Sequence, residues 1–452
     1  MKCKFLLPLL FALPAAAQTT TIKQDAAINQ MVDEVSSKNI EAIVRKLVSF
    51  KTRHTLSDTL SKTEGIGAAR NWIKAEMEGY AKASGGRMHV EFDTFTQPAG
   101  GRIDKPTVLK NVLAILKGTD PNDKRIYIVS GHYDSRVNDV MDAKSFAPGA
   151  VDDASGTAVS MEIARVMSKR SFPATIIFMA VAGEEQGLNG STNVAKRAKD
   201  EKWAVDAMLN NDIVGNTYGM ETGLKDNRSV RVFSEGVAST VADAGNEKVL
   251  AALINNGGEN DSPSRELARY IKEVAERYVP QLDVKMIYRR DRFLRGGDHT
   301  PFLKQGFAAV RFTEMNEDFN RQHQNVRKEN GTDYGDMPEF ADYDYIQKVA
   351  RMNLSVLANL SLAPAEPQNV GITTSGLTNK STLKWEAPAA GKKPAGYYVL
   401  MRETISPYWE KKFYVTDTTA TLDYSKDNYF FAVQAVDADG HESQMVYPKP
   451  VR

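Results

Sequence analysis

The chain has 452 residues, 42 % of them hydrophobic, and sets 58 Lys and Arg against 57 Asp and Glu. That apolar share supports a full core over two or three domains, and so even a charge balance argues against nucleic acid or an anionic membrane surface as the main partner. The one cysteine, Cys3, lies in a leader segment, so disulfides are excluded and stability must come from packing and bound metal.

The leader reads "MKCKFLLPLLFALPAAAQ": Lys2 and Lys4, an apolar stretch too short to cross a bilayer, then Ala15, Ala16 and Ala17. That order of basic, apolar and small segments predicts a signal peptide over residues 1–17, cleaved before Gln18, and hence a secreted or periplasmic protein. No later run is long and apolar enough to span a membrane. Two amphipathic helices follow, "NIEAIVRKLVSF" and "IGAARNWIKAEMEGYA". From about residue 108 to 362, short apolar runs alternate with helical periods, which predicts a three-layer α/β/α domain on a mostly parallel mixed sheet. The strands expected are "NVLAIL", "RIYIVS", "ATIIFMAVA", "VDAMLNND", "VKMIY" and "AAVRF"; the helices are "SGTAVSMEIARVMSKR", "SRELARYIKEVAERY" and "DYIQKVARMNLSVLANL". After "LAPAEPQNV" the chain turns strand-rich. Residues 18–363 are thus expected to form the main domain, and residues 364–452 a small all-β sandwich that resembles a fibronectin type III module.

Polar residues cluster where those strands end. "RIYIVS" runs into "GHYDSR", with His132 and Asp134; a Gly- and Pro-containing loop then delivers Asp152 and Asp153 just before a helix. Glu184 and Glu185 follow "ATIIFMAVAG", Asp212 closes the next strand, and His323 lies in a long polar segment after the last one. Ligands of open α/β sheets gather at the carboxyl ends of strands. Imidazole and carboxylate donors without thiolate suit zinc, with manganese or cobalt as alternatives.

The motifs "GHYDS", "GAVDDASGTA", "AGEEQGLNGS", "NND" and "GGDHTPF" with the late His323, in that order, resemble the secreted co-catalytic di-zinc exopeptidases, the family of bacterial aminopeptidases and glutamate carboxypeptidases. The resemblance covers about residues 40 to 362. It implies two zinc ions, His132 and Asp212 on one, Glu185 and His323 on the other, and Asp152 bridging. Glu184 would be the general acid/base, and Asp134 would orient His132 through its second ring nitrogen. Two metals about 3.5 Å apart lower the pKa of a bridging water, whose proton a carboxylate then carries to the leaving amine. Asp153 is expected to cap the helix behind it. Asp298 is either a pocket acid or the cap of the helix "HTPFLKQ", and His299 either a pocket group or a structural histidine. His54, His89 and His441 have no partners in the sequence and are read as surface or structural residues.

Many relatives place a tyrosine before the second metal histidine; this chain has Gln322. Tyr288, Arg295 and His299 are therefore the candidates for stabilising the oxyanion. The arginines of "YRRDRFLRGGDH" are either a solvated loop or a grip for a peptide carboxylate. The expected activity is a secreted metallo-exopeptidase acting on peptides, most simply an aminopeptidase. The alternatives are a carboxypeptidase, a glutaminyl cyclase-like acyltransferase, and a non-catalytic binding ectodomain on the same scaffold, as in transferrin-receptor ectodomains. The full set of ligands and base argues against the last. The β-sandwich is expected to be dispensable for the chemistry.

Overall fold

The computed structural model describes residues 22–243 and 245–452; the signal segment 1–17 lies outside these residues. An eight-stranded mixed sheet organises the main body, its strands in the spatial order Met88–Gln97, Thr107–Leu116, Thr175–Val181, Arg125–His132, Ala204–Asn211, Ala309–Glu314, Ser229–Phe233, Asp283–Ile287. The third to sixth of these run parallel to one another, and antiparallel pairings flank them on either side.

Alternation along the strands builds two cores. Tyr127, Val129, Ile176, Phe178 and Leu209 point into a large core under the helices Ser37–Val48, Ala154–Met167, Pro263–Tyr278 and Tyr343–Leu362. Ile128, Ile177, Met179 and Met208 point to the opposite face, where Val194 and Ala195 of Asn189–Asp200 and Phe302 and Leu303 of His299–Gln305 cover them. This is the expected α/β/α layering.

Some elements differ from expectation. The edge strand Met88–Gln97 and the short strand Ser229–Phe233 join the sheet unannounced. The helix Asn189–Asp200 was not expected because its sequence, NGSTNVAKRAKD, is polar; it buries only a narrow stripe ending in Val194, Ala195 and Ala198.

The C-terminal residues form a four-stranded sheet (Thr419–Leu422, Ser381–Glu386, Gln368–Thr373, Lys449–Val451) and a three-stranded one (Lys411–Val415, Gly396–Glu403, Tyr429–Val436). Leu383, Trp385, Tyr397, Val399, Phe431 and Val433 fill the space between them, with the Trp385 and Tyr397 rings edge to face at 5.3 Å. The other face of the three-stranded sheet is buried too: Tyr398, Leu400, Ala432 and Val436 belong to the large core of the main body. A charged seam runs along that contact. Arg402 pairs with both oxygens of Asp261 at 2.7 and 2.8 Å, and Asp261 also takes Arg269 at 2.7 Å. Arg277 holds Glu442 at 2.8 Å, and the Trp409 indole donates to Glu266 at 3.1 Å. At the start of the described chain, Lys23 donates to the Ala438 carbonyl and Asp25 meets His441, both at 2.9 Å.

Candidate metal centre

Four parallel strands end on the same edge, and there the sheet delivers its polar groups. His132 is the last residue of Arg125–His132, Glu184 and Glu185 follow the turn after Thr175–Val181, and Asp212 follows Ala204–Asn211. Asp152 and Asp153 precede the helix Ala154–Met167, which lies against the strand bearing His132 at glycine-only distance. A Cβ on Gly131 would sit 2.2 Å from the Gly156 backbone carbon, and one on Gly156 would sit 2.1 Å from the Asn211 carbonyl oxygen. Two adjacent glycines thus let the aspartate loop approach the strand ends.

The Asp152 carboxylate lies between the two histidines. His132 Nε2 is 3.2 Å from Asp152 Oδ1 and 3.8 Å from Asp212 Oδ1; His323 Nε2 is 2.8 Å from Asp152 Oδ2 and 3.0 Å from Glu185 Oε1. The result is two donor groups, His132 with Asp152 and Asp212, and His323 with Asp152 and Glu185, within each of which the donor atoms lie within 4.8 Å of one another. All five residues singled out as ligands meet here. Glu184 belongs to neither group but lines the same cavity, about 490 Å³ in volume.

The supporting contacts explain the placement. Asp153 caps its helix by accepting from Gly156 N at 2.9 Å, and it also accepts from His132 N at 2.9 Å and Ile213 N at 3.2 Å. Asp134 touches more than His132. The His132 Nδ1 atom meets the Asp134 carbonyl at 3.1 Å and its carboxylate only at 3.5 Å. That carboxylate instead accepts from the backbone N–H groups of Glu184 and Glu185 at 3.3 and 3.2 Å, and from Thr55 Oγ1 at 2.8 Å. Asp134 therefore positions the glutamate pair as much as the histidine.

Several contributors carried little or no sequence signal. Asp336, 184 residues on from Asp152, accepts from Asp152 N at 2.7 Å and fixes the aspartate loop. Buried Arg53 donates to the carbonyls of Pro148 and Gly149 at 2.7 and 2.8 Å. Arg136 grips Glu185 Oε2 at 2.8 Å and reaches His323 Nδ1 at 2.6 Å. Arg311, fully buried in Ala309–Glu314, pairs with Asp212 Oδ1 at 2.9 Å. A lone arginine inside the apolar strand run "AAVRF" was the available hint, since such a charge needs a buried partner.

The remaining candidates divide. Arg295 lines the cavity. Tyr288 does not: its hydroxyl donates to the Pro407 carbonyl at 3.2 Å and its ring lies 3.4 Å from the Arg265 guanidinium, so it does not face the site as an oxyanion donor. His299 is buried against the Arg290 carbonyl at 2.8 Å and lies outside the cavity lining, a structural role. Asp298 is buried and makes no side-chain bond to its helix; burial pushes its carboxyl up to about 7. Gln322 donates to Asp152 Oδ2 at 3.0 Å. His54 and His441 are buried structural residues.

The electrostatics are those of a cation site. Burial would lower both imidazoles, yet the surrounding carboxylates hold His132 well above the ordinary histidine range and push His323 up to about 10. Burial also raises Glu184 well above the usual carboxylate range, with Asp212 and Glu185 adding to the effect against the opposing His132. Asp212 Oδ2 is buried and has no hydrogen-bond partner among the described residues. An orphaned carboxylate oxygen, imidazole nitrogens and no thiolate fit zinc.

Fold and site together describe an α/β/α protein with two donor groups fit for metal at the carboxyl edge of its sheet. The chain belongs to Peptidase family M28, whose profile matches residues 111–356. It is 49 % identical over 424 residues to a probable zinc metalloprotease of Leptosphaeria maculans, covering 94 % of this chain and 97 % of that one. A probable zinc metalloprotease of Pyrenophora teres f. teres is 49 % identical over 428 residues, 94 % of this chain and 87 % of its own. Among solved structures, LapB from Legionella pneumophila superimposes with a TM-score of 0.54 at 18 % identity over 76 % of each chain. The Legionella pneumophila LapA aminopeptidase does so with 0.52 at 19 % over 80 % of each. The protein is a zinc metallopeptidase.

Proposed function

We propose that this metallopeptidase is a secreted exopeptidase with two zinc ions, most simply an aminopeptidase, whose residues 364–452 form a fibronectin type III-like module. The observation that carries it is Asp152, whose two oxygens each face a separate histidine–carboxylate group. His132 and Asp212 would hold one ion and His323 and Glu185 the other, with Asp152 shared. When bound, the ions supply a water acidified towards neutrality and a polarised scissile carbonyl.

The chain's own groups do the rest. Glu184 stands at the cavity wall outside both donor groups, free to take a proton from water and return it to the departing amine. Asp134 fixes the backbone of Glu184 and Glu185, so that the two adjacent side chains keep separate tasks. The aminopeptidase preference draws on the LapA likeness, and a carboxypeptidase on the same site is the second reading, favoured by the cavity's arginines.

A matched set of peptides, free or blocked at each end and assayed with and without a chelator, tests the proposal. Cleavage is expected to vanish with chelator and on N-terminal blocking. Loss on C-terminal blocking alone would move the assignment to carboxypeptidase, and chelator-resistant cleavage would overturn it.

A further inference from the structure

The cavity above the metal centre is walled by arginine. Arg102, Arg136, Arg292 and Arg295 line it, while the carboxylates that line it among the described residues are Asp152, Glu185 and Asp212, which belong to the donor groups, and Glu184 beside them. Two of the four guanidiniums are engaged. Arg136 holds Glu185, and Arg292 binds Glu317 at 2.7 Å and Asp291 at 3.2 Å. Arg295 has only a distant share of Glu317, at 3.5 Å, and that carboxylate already serves Arg292 and also Arg231, at 2.9 Å.

Arg102 has no ion pair among the described residues. Its Nη1 donates to the Glu185 backbone carbonyl at 2.7 Å, which ties the side chain to the residue at the metal centre. The turn that carries it is closed by reciprocal Gly100 and Ile103 backbone bonds at 2.8 and 3.0 Å, and Ile103 beside it is buried. An exposed arginine held this way differs from a solvated surface charge: one end of its guanidinium is tethered, and its remaining donors are uncommitted among the described residues. A guanidinium of this kind recognises a carboxylate through parallel charge-assisted bonds.

We propose that Arg102, with Arg295, grips a substrate carboxylate beside the scissile bond, so that the enzyme prefers peptides bearing an acidic residue or a free C-terminus there and disfavours basic ones. This rests on the hydrolase reading of the metal centre. The recognition chemistry is common to a side-chain carboxylate and a terminal one, and Arg102 acts as a specificity-determining residue.

The test pairs peptides that differ only in Glu or Gln beside the cleaved bond, each with a free or amidated C-terminus. It reads kcat and KM together with calorimetric binding of N-acetylglutamate and N-acetylglutamine to the zinc-loaded protein. Wild-type enzyme is expected to favour the carboxylate partner by about 10- to 100-fold, the strength of a hydrogen bond to a charged group, mainly through KM. In Arg102→Gln and in Arg295→Gln that ratio is expected to fall towards one, and in Arg102→Lys to recover in part. A Glu preference that survives amidation assigns the carboxylate to a side chain; one that tracks the free end assigns it to the C-terminus. Equal cleavage and equal binding of both partners by the wild type overturns the proposal, as does an unchanged ratio in both Gln variants. Selective binding of N-acetylglutamate without any cleavage supports the carboxylate grip and overturns the hydrolase reading instead.

Discussion

Replacing Glu184 by glutamine tests the division of labour within the glutamate pair. The change swaps one oxygen for nitrogen in a side chain that makes no hydrogen bond among the described residues, while the backbone stays fastened to Asp134 at 3.3 Å. Stability should therefore not fall, since no hydrogen bond is lost and a charge that burial disfavours is removed. Neither donor group includes Glu184, so zinc content should be unchanged. Turnover should fall by about 10²- to 10⁴-fold, the worth of a positioned general acid/base, which is about 3–5 kcal/mol of barrier at 1.36 kcal/mol per decade. Asp152→Ala should behave oppositely, since both groups lose their shared ligand and the zinc goes with it. The assay is single-peptide turnover alongside elemental zinc analysis on the same preparations. Glu184→Gln enzyme within a few-fold of wild-type turnover, or stripped of zinc, would refute the reasoning.

Three further outcomes are expected. Gly131→Ala places a Cβ 2.2 Å from the Gly156 backbone; it should push helix from strand, lowering stability by about 1–3 kcal/mol and weakening zinc uptake, measured by melting and by competition with a chromophoric chelator. His441 is held above the ordinary histidine range: burial opposes this, but Asp437 at 2.7 Å and Asp25 at 2.9 Å outweigh it. A raised folded-state pKa gives stability that is full below the unfolded value, near pH 6.5, and is lost as pH climbs through the folded one. The melting-temperature gap between wild type and His441→Gln should therefore be widest at acidic to neutral pH and narrow in alkali; a gap that widens in alkali would contradict this. A chain ending at Ala363 should fail to fold, because the core loses Tyr398, Leu400, Ala432 and Val436 while Asp261 loses Arg402 and Arg277 loses Glu442, at about 3–5 kcal/mol for each buried pair broken. A monomeric, zinc-binding, cooperatively melting fragment would disprove that.

The parallel strands and their polar ends were legible because a strand buried on both faces reads as a continuous apolar run, and the residue types that follow it stand out. His132, Asp152, Glu185, Asp212 and His323 come from separate segments of the sequence, yet the carboxyl edge of the sheet collects them. What could not be read was whatever depends on a distant partner. Asp336 looks like any loop aspartate until the fold sets it under the Asp152 backbone. Tyr288 is a candidate oxyanion donor by sequence, but Pro407, 119 residues further on, claims its hydroxyl. Ser229–Phe233 escaped notice because Arg231 interrupts its apolar pattern, and that arginine is satisfied by the Glu314 carbonyl at 2.7 Å and Glu317 at 2.9 Å. A separate C-terminal module was legible from a Pro-rich boundary, which marks a change of composition and says nothing of the interface beyond it.

That interface bears on the order in which activity arises. Every proposed zinc ligand is synthesised by residue 323, but the core beneath the sheet closes only when Tyr398, Leu400, Ala432 and Val436 arrive, and Asp261 waits for Arg402. A ribosome-bound or prematurely stopped chain would carry all the catalytic side chains without the packing that holds them in register. Proteolytic competence would then arise only once the C-terminal strands have packed onto the main body, well after the last proposed ligand has been made.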